Sequence, residues 1–276
     1  MSGAVLQSVS GDNLEMIAEQ FVRARLAGQS LPQYPGTVPA TLADAYSVQE
    51  QAIERFPDEI VGWKVARIGA QWSKQYPEER LVGPVFARNL HSVRSGDVVD
   101  FPVFQGGFAA VEAEIVLRVN EDAPADKTNW TIDEAAELVR SFHLGCETAG
   151  SPLATLNDLG PGAVIGDLGN NWGVIVGATV GEWRSIQEIV ALTFIEEALC
   201  GRGTAFIRQG ALGALAFALN KCAERGRPLR AGHVISTGAI TGVHDIKIGQ
   251  QSRLVFEGCG EIECRAVLGG VSQPKR

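Results

Sequence analysis

The sequence is poor in several residue types and patterns, and each shortage narrows the field. Cysteine is sparse: Cys146, Cys200, Cys222, Cys259 and Cys264 are the five in 276 residues, scattered and without a Cys-x-x-Cys pair. That argues against a disulfide frame or a zinc site and fits reduced thiols in a cytoplasmic protein. Basic charge is in deficit, with 24 Lys and Arg against 32 Asp and Glu and a formal net charge of −8. No basic stripe is available to replace phosphate counterions, so no nucleic-acid partner is expected. No apolar run approaches the ~20 residues of a membrane span, and the first residues lack a basic stretch followed by an apolar one; neither membrane contact nor a signal peptide is expected. A dinucleotide fingerprint is missing too. The run Gly160-x-Gly162-x-x-x-Gly166 has the wrong spacing and predicts no helix opening from it, which excludes a Rossmann reading. There is no internal repeat and no low-complexity segment.

What is present is an ordinary globular composition, 45% hydrophobic, enough to bury a large core. Asp12 with Glu15 reads as a capping box for a helix running to about Gly28, its inward face Leu14, Ile17, Ala18, Phe21, Val22 and Leu26. A Pro- and Gly-bearing loop over 29–40 follows. Thr41 with Asp44 then caps a second helix that Pro57 ends. These helices make residues 1–60 a small N-terminal helical subdomain, with 61–276 the main domain. Strands are predicted over Val61–Arg67, Val82–Ala87, Val111–Val119, Leu144–Thr148, Trp172–Val180, Leu192–Leu199, Val234–Gly238, Arg253–Glu257 and Glu261–Leu268. The final two make a hairpin through Gly258-Cys-Gly260, and Glu261 and Glu263 mark a wet face of an edge strand. Gln71–Arg80 reads as a loop and Gly201-Arg-Gly203 as a turn. Thr131 with Glu134 caps a helix facing inward through Ala135, Leu138, Val139 and Phe142. Gly210–Arg225 is a further helix, and Ser151–Asn171 a functional loop. Strand-rich segments without regular helix alternation give the α+β class.

Charged residues in apolar settings carry the functional signal. In Val111-Glu-Ala-Glu-Ile-Val-Leu-Arg-Val119 the strand period puts Glu112, Glu114, Val116 and Arg118 on one face and Val111, Ala113, Ile115, Leu117 and Val119 on the other. Carboxylates ~7 Å apart along a strand repel, and a hard divalent cation removes that repulsion; from the pair alone a wet strand face is the commoner explanation. Lys64, flanked by Gly62 and Ala66, either lies on an open face or projects into a pocket where it exchanges protons. Glu147, among small and apolar residues, is either a third ligand or a satisfied glutamate at a strand end.

Gly62-Trp-Lys64, Val111-Glu-Ala-Glu114, Glu147, Cys200-Gly-Arg-Gly203, Pro228-Leu-Arg-Ala-Gly232 and Ile235-Ser-Thr-Gly-Ala239, taken in order, resemble the 2-keto-4-pentenoate hydratase branch of the fumarylacetoacetate hydrolase superfamily, over nearly the whole span from Leu42 to Val267. The resemblance implies a rolled, barrel-like mixed β-sheet with flanking helices and a small N-terminal helical part. It implies Mg²⁺ or Mn²⁺ held by Glu112, Glu114 and Glu147, with Lys64 as the acid/base group and Asp167 as a second catalytic residue. Thr237 and Gly238 would lie near the substrate's carboxylate. The implied activity is that of a hydro-lyase on a small 2-oxo or 2-hydroxydienoic acid from aromatic-compound breakdown. The implied assembly is a homo-oligomer, with a related decarboxylase as a partner. A decarboxylase, a C–C hydrolase of the same superfamily and a non-catalytic partner subunit are the alternatives. The chain departs from the hydratase pattern at Ala66-Arg67-Ile68-Gly69, Ala109-Ala110, Pro152 and His233.

Overall fold

Two helices open the computed structural model, which describes residues 11–269. In α1 (Gly11–Ala27) the stripe Leu14, Ile17, Ala18, Phe21 and Val22 is buried as the helical period requires. The helix already begins at Gly11, so Asp12 lies within its first turn instead of capping it. In α2 (Leu42–Arg55) the Thr41 hydroxyl accepts from the Asp44 amide at 3.1 Å, which satisfies one of the unpaired N–H groups of the first turn.

From there the chain is mostly strand: β1 (Ile60–Arg67), β2 (Arg80–Phe86), β3 (Leu90–Ser92), β4 (Val98–Val103) and β5 (Phe108–Val119), before the short helix α3 (Ile132–Glu137). The Thr131–Glu134 capping box forms with both of its bonds. The helix is shorter than its apolar spacing predicts, because Val139 and Phe142 belong to β6 (Val139–Ser151), which pairs with β5 along almost its whole length. Cross-strand pairing here overrides a local helical pattern. Then come α4 (Pro161–Gly166), β7 (Asn171–Thr179), β8 (Glu188–Ile195), β9 (Ala198–Phe206), α5 (Gly213–Glu224), β10 (Val234–Ser236), β11 (His244–Asp245), β12 (Gln251–Phe256) and β13 (Gly260–Leu268). A short helix does open after Gly160, contrary to the glycine-spacing reading, but no dinucleotide unit surrounds it. Gly201 and Gly203 are not a turn: both lie inside β9, where the chain at Ile240–Thr241 passes so close that a Cβ would collide with it.

The architecture is α+β and rolled. An 8-stranded mixed sheet has the order β2-β1-β10-β5-β6-β7-β3, with β11 pairing β5 off that path, and a 5-stranded sheet has the order β4-β13-β12-β8-β9. β13 is therefore interior between β4 and β12, not an edge, although Glu261 and Glu263 do lie on its wetter face. In the larger sheet β2 and β7, separated by four strands in the order, come into contact, so the sheet curls into a half-barrel. One face of that curl packs the main core: Trp63, Val65, Ile115, Leu117, Phe142, Leu144, Ile175 and Ile235 join the helices and the second sheet. The other face encloses a small valine cluster, Val85, Val116, Val174, Val176 and Val234. No helix among the described residues is long and apolar enough to cross a membrane.

Closure of the roll relies on glycine. Gly83 of β2 lies against Gly169, where a Cβ would sit 2.7 Å from the Gly83 Cα, and Leu168 and Asn170 flank it with φ of 54° and 60°. Left-handed backbone at non-glycine residues is strained and persists only where surrounding contacts dictate it.

Gly62 tests the packing of the sheet. A Cβ there would lie 2.1 Å from the Val234 carbonyl oxygen across the β1–β10 pair. Gly62→Ala is expected to lower the unfolding free energy by about 1–3 kcal/mol or more, as overpacking against rigid backbone does. Gly181→Ala, with nothing within 4 Å of the added atom, should stay within ~0.5 kcal/mol in the same urea titrations.

Candidate metal centre

Strand register assembles the carboxylates. Glu112 and Glu114 project from the same face of β5, and Glu112 is paired directly with Glu147 of β6. All three are buried, Glu112 at 6% exposure and the others at 0%. One oxygen from each lies within 4.8 Å of the others, so the three form a group able to hold one divalent cation. The wet-face reading of Glu112 and Glu114 is thereby excluded. They lie on the inner face of the roll, which continues into the valine cluster through Val116.

Some of their oxygens are fixed by donors and others are left over. Glu114 Oε2 accepts from the Ser236 hydroxyl at 2.5 Å and from the Gly238 amide at 2.9 Å, and Glu147 Oε1 accepts from Asn171 Nδ2 at 3.0 Å. Glu114 Oε1 and Glu147 Oε2 are buried without a hydrogen-bond partner. Buried carboxylate oxygens are rarely orphaned, and hard oxygen donors in this number and spacing fit Mg²⁺, Mn²⁺ or Ca²⁺. The positive group at the site is Lys64, whose Nζ lies 3.1 Å from Glu147 Oε1, its side chain 4% exposed. The open-face reading of Lys64 is excluded as well. Burial pushes the Lys64 pKa down, but Glu147, Glu112 and Glu114 together outweigh burial and raise it. Burial and the charge of Glu147 push Glu112 up to about 8, and burial with Glu147 and Glu112 drives Glu114 well above the carboxylate range.

Asp167 is not brought to this group. It is fully buried, and its Oδ1 accepts from Arg25 Nε at 2.6 Å. The same guanidinium donates to the carbonyls of Asn171, Gly150 and Asp167 at 2.9, 2.9 and 3.0 Å. Arg25 thus clamps the segment that closes the roll and delivers Asn171 to Glu147. Asp167 therefore stands in a buried ion pair with Arg25 and outside the group of three carboxylates. The sequence signal existed: Arg25 falls on the buried stripe of α1, four residues after Phe21 and three after Val22, and a charged residue there needs a buried partner.

Lys64 and Glu112 reach the inner end of a cavity of about 970 Å³, whose walls also include Ala66, Arg67, Trp72, Arg80, Leu81, Phe108, Thr237 and Gly238. The Thr237 hydroxyl is directed to the Ile115 carbonyl at 2.9 Å and the Gly238 amide to Glu114. Gly238 adopts φ 108°, a conformation few other residues accept. Ser236 was not singled out from sequence as a site residue; it lies opposite Lys64 in the β1–β10 pair. Of the departures from the hydratase pattern, Ala66, Arg67, Ile68 and Gly69 line the cavity, whereas Ala109, Ala110, Pro152 and His233 do not.

No family model matches the chain. Its fold is similar to that of several solved structures. A 4-oxalocrotonate decarboxylase from Pseudomonas putida G7, complexed with magnesium and adipate, is 20% identical with a TM-score of 0.74, the match covering 95% of this chain and 100% of that one. A fumarylpyruvate hydrolase from Pseudomonas aeruginosa in complex with Mn²⁺ and pyruvate is 18% identical with a TM-score of 0.56, covering 75% and 89%. A maleylpyruvate hydrolase from Sphingobium.sp SYK-6 is 15% identical with a TM-score of 0.50, covering 75% and 71%. At these identities the likeness is one of fold.

The buried charges yield two expectations. Arg25→Met should lower the unfolding free energy by roughly 3–5 kcal/mol, because Asp167 is left charged and unpaired, whereas Arg25→Met combined with Asp167→Leu should recover much of the loss; denaturant titration of the two variants decides this. Glu112, at about 8, holds more proton in the folded than in the unfolded protein between its unfolded range and pH 8. Its contribution therefore makes the metal-free protein less stable as pH rises through that window, and a bound cation must displace the proton. Calorimetric titration with Mn²⁺ at pH 6, 7 and 8 should show affinity rising with pH and proton release falling; an affinity independent of pH would contradict it.

Proposed function

We propose that the chain is a metal-dependent enzyme of the fumarylacetoacetate hydrolase superfamily, a lyase acting on a small 2-oxo or 2-hydroxydienoic acid. The reading rests on one observation: Glu112, Glu114 and Glu147 are buried together with unpartnered oxygens, and Lys64 stands beside them at the inner end of a cavity. A divalent cation there would chelate the acid and keto oxygens of a 2-oxo acid and stabilise the negative charge that develops when the adjacent carbon loses a proton.

The chain's own groups account for the remaining steps. Ser236, the Gly238 amide and Asn171 fix Glu114 and Glu147 in their ligating orientation. Lys64, held in its ammonium form by three carboxylates, is positioned to donate a proton to the substrate's carbon chain and to recover one from the adding water. Trp72 and Phe108 shield the cavity wall.

Within this class we advance hydration of a 2-hydroxydienoate. Decarboxylation of a 2-oxo acid is the second reading, favoured by the fold likeness that spans the whole of a 4-oxalocrotonate decarboxylase. A C–C hydrolase is disfavoured, since no histidine among the described residues lines the cavity to act as base. Homo-oligomeric assembly, with a related decarboxylase as partner, belongs to the same proposal.

With Mg²⁺ present, loss of the 2-hydroxydienoate absorbance without CO₂ release supports hydration, and CO₂ release from a 2-oxo-enoic acid supports decarboxylation. Neither reaction with bound metal would overturn the enzymatic reading. Lys64→Met should lower kcat by roughly 100-fold or more while Mn²⁺, followed by electron paramagnetic resonance, still binds. A wild-type rate in that variant would remove Lys64 from the mechanism.

A further inference from the structure

The inner face of the roll continues past the valine cluster. Along β5, Glu114, Val116 and Arg118 follow one another on that face, and the register with β6 sets them opposite Gly145, His143 and Ser141. Arg118 lies four residues beyond Glu114, about 13 Å at the ~3.3 Å rise of a strand. Val116, fully buried, stands between them in the sequence of that face and leans so closely over Gly145 that a Cβ there would lie 2.4 Å from its Cγ2. Beyond this plug the face carries a serine, a histidine and an arginine, all half-buried, and none of the three lines the cavity of the metal centre.

Hydrogen bonding assigns the protons in this group. His143 Nδ1 lies 3.3 Å from the Gly177 carbonyl oxygen and 3.4 Å from the Thr179 hydroxyl, and Nε2 lies 2.8 Å from the Ser141 hydroxyl. A carbonyl only accepts, so Nδ1 carries the ring proton, Nε2 keeps its lone pair, and the Ser141 O–H donates to it. Burial lowers the His143 pKa; the Gly177 bond opposes this and the charge of Arg118 adds to it. The imidazole is therefore neutral at pH 7 and able to take a proton. A hydroxyl bonded to a neutral imidazole that a third group orients is the arrangement of an activated nucleophile. Arg118 is the cross-strand neighbour of Ser141, and its Nη1 donates to the Gly232 carbonyl at 3.4 Å. It brings to the serine the positive charge that an oxyanion on a Ser141-bound carbon requires.

We propose that Ser141, His143 and Arg118 form a second site, independent of the metal, that takes a short acyl group from an activated ester. Ser141 Oγ bonds to the acyl carbon as its proton passes to His143 Nε2. The bond from that carbon to the leaving oxygen then breaks, and the leaving group takes the proton from His143 and departs as the alcohol. Water adds to the acyl-serine by the same route, releasing the acid and restoring Ser141. The buried valines beneath close the site toward the metal centre and leave no room for a long acyl chain, so the ester enters from solvent, where Thr179 is exposed.

The probe is p-nitrophenyl acetate, given to the full chain with Mg²⁺ and again with EDTA. Both conditions should show a burst of p-nitrophenolate of about one equivalent, with an acetyl group on Ser141 located by fragment-ion mass spectrometry after acid quenching. Ser141→Ala should abolish that burst, and His143→Gln should slow it roughly 100-fold or more, while both variants still bind Mn²⁺ by electron paramagnetic resonance. Because the acetylated residue is read in the wild-type chain, the assignment stands or falls even if a variant does not fold. Absence of acetyl on Ser141, acetylation confined to other side chains such as the exposed Cys200, or acetylation of Ser141 at an equal rate in the urea-unfolded chain overturns the proposal.

Discussion

The mutual repulsion of Glu112, Glu114 and Glu147 is the constraint to which the neighbouring structure answers. Buried carboxylates with one oxygen of each within 4.8 Å of the others cannot all ionise without compensation, because desolvation and like charge both oppose it. The protein supplies only part of that compensation. Lys64 contributes one positive charge, and Ser236, the Gly238 amide and Asn171 contribute directed hydrogen bonds. The remainder is left to protons or a cation, and this incomplete balance separates a binding centre from a structural ion-pair network.

Holding such a group in place requires a rigid frame, and the frame is the roll. Its curl brings β2 to β7, and the segment between α4 and β7 fills the seam in a backbone conformation that only strong contacts sustain. Arg25 supplies those contacts. The hydrogen bonds of its guanidinium go to that seam and to the end of β6, so a residue of α1 governs the orientation of Asn171 at the centre. Energetically this is an all-or-none arrangement, since removing either charge of a buried pair leaves the other stranded.

The parts of this design that were legible in the sequence are those with local signatures. Thr41 and Thr131 announced their caps, and the period-2 pattern of β5 put Glu112 and Glu114 on a common face. Lys64 between small residues and Glu147 among apolar ones were visible as misplaced charges, and the α+β class followed from the rhythm of strands. Non-local features were not legible. The helical spacing of Val139 and Phe142 gave no hint that β5 would capture them as strand, and the glycines of β9 resemble turn residues until the close passage of Ile240 is known. β13 reads as an edge because its wet face is explicit while its parallel partner β4 is not. Asp167 was visible as a charged residue, but its partner was not, since that partner lies on a helix 142 positions earlier.

The wedging of β10 between β1 and β5 bears on how the protein is made. Three residues near the end of the chain complete a ladder begun near its start, and they bring Ser236 and the Gly238 amide to Glu114. Contacts of such sequence separation form slowly, because loop closure must precede any gain from pairing. During synthesis β5 and β6 emerge with their carboxylates well before the donors that orient Glu114 exist. Maturation of the centre is therefore tied to translation of the final third of the chain, and a nascent or truncated product carries the acidic strands without the donors that fix Glu114.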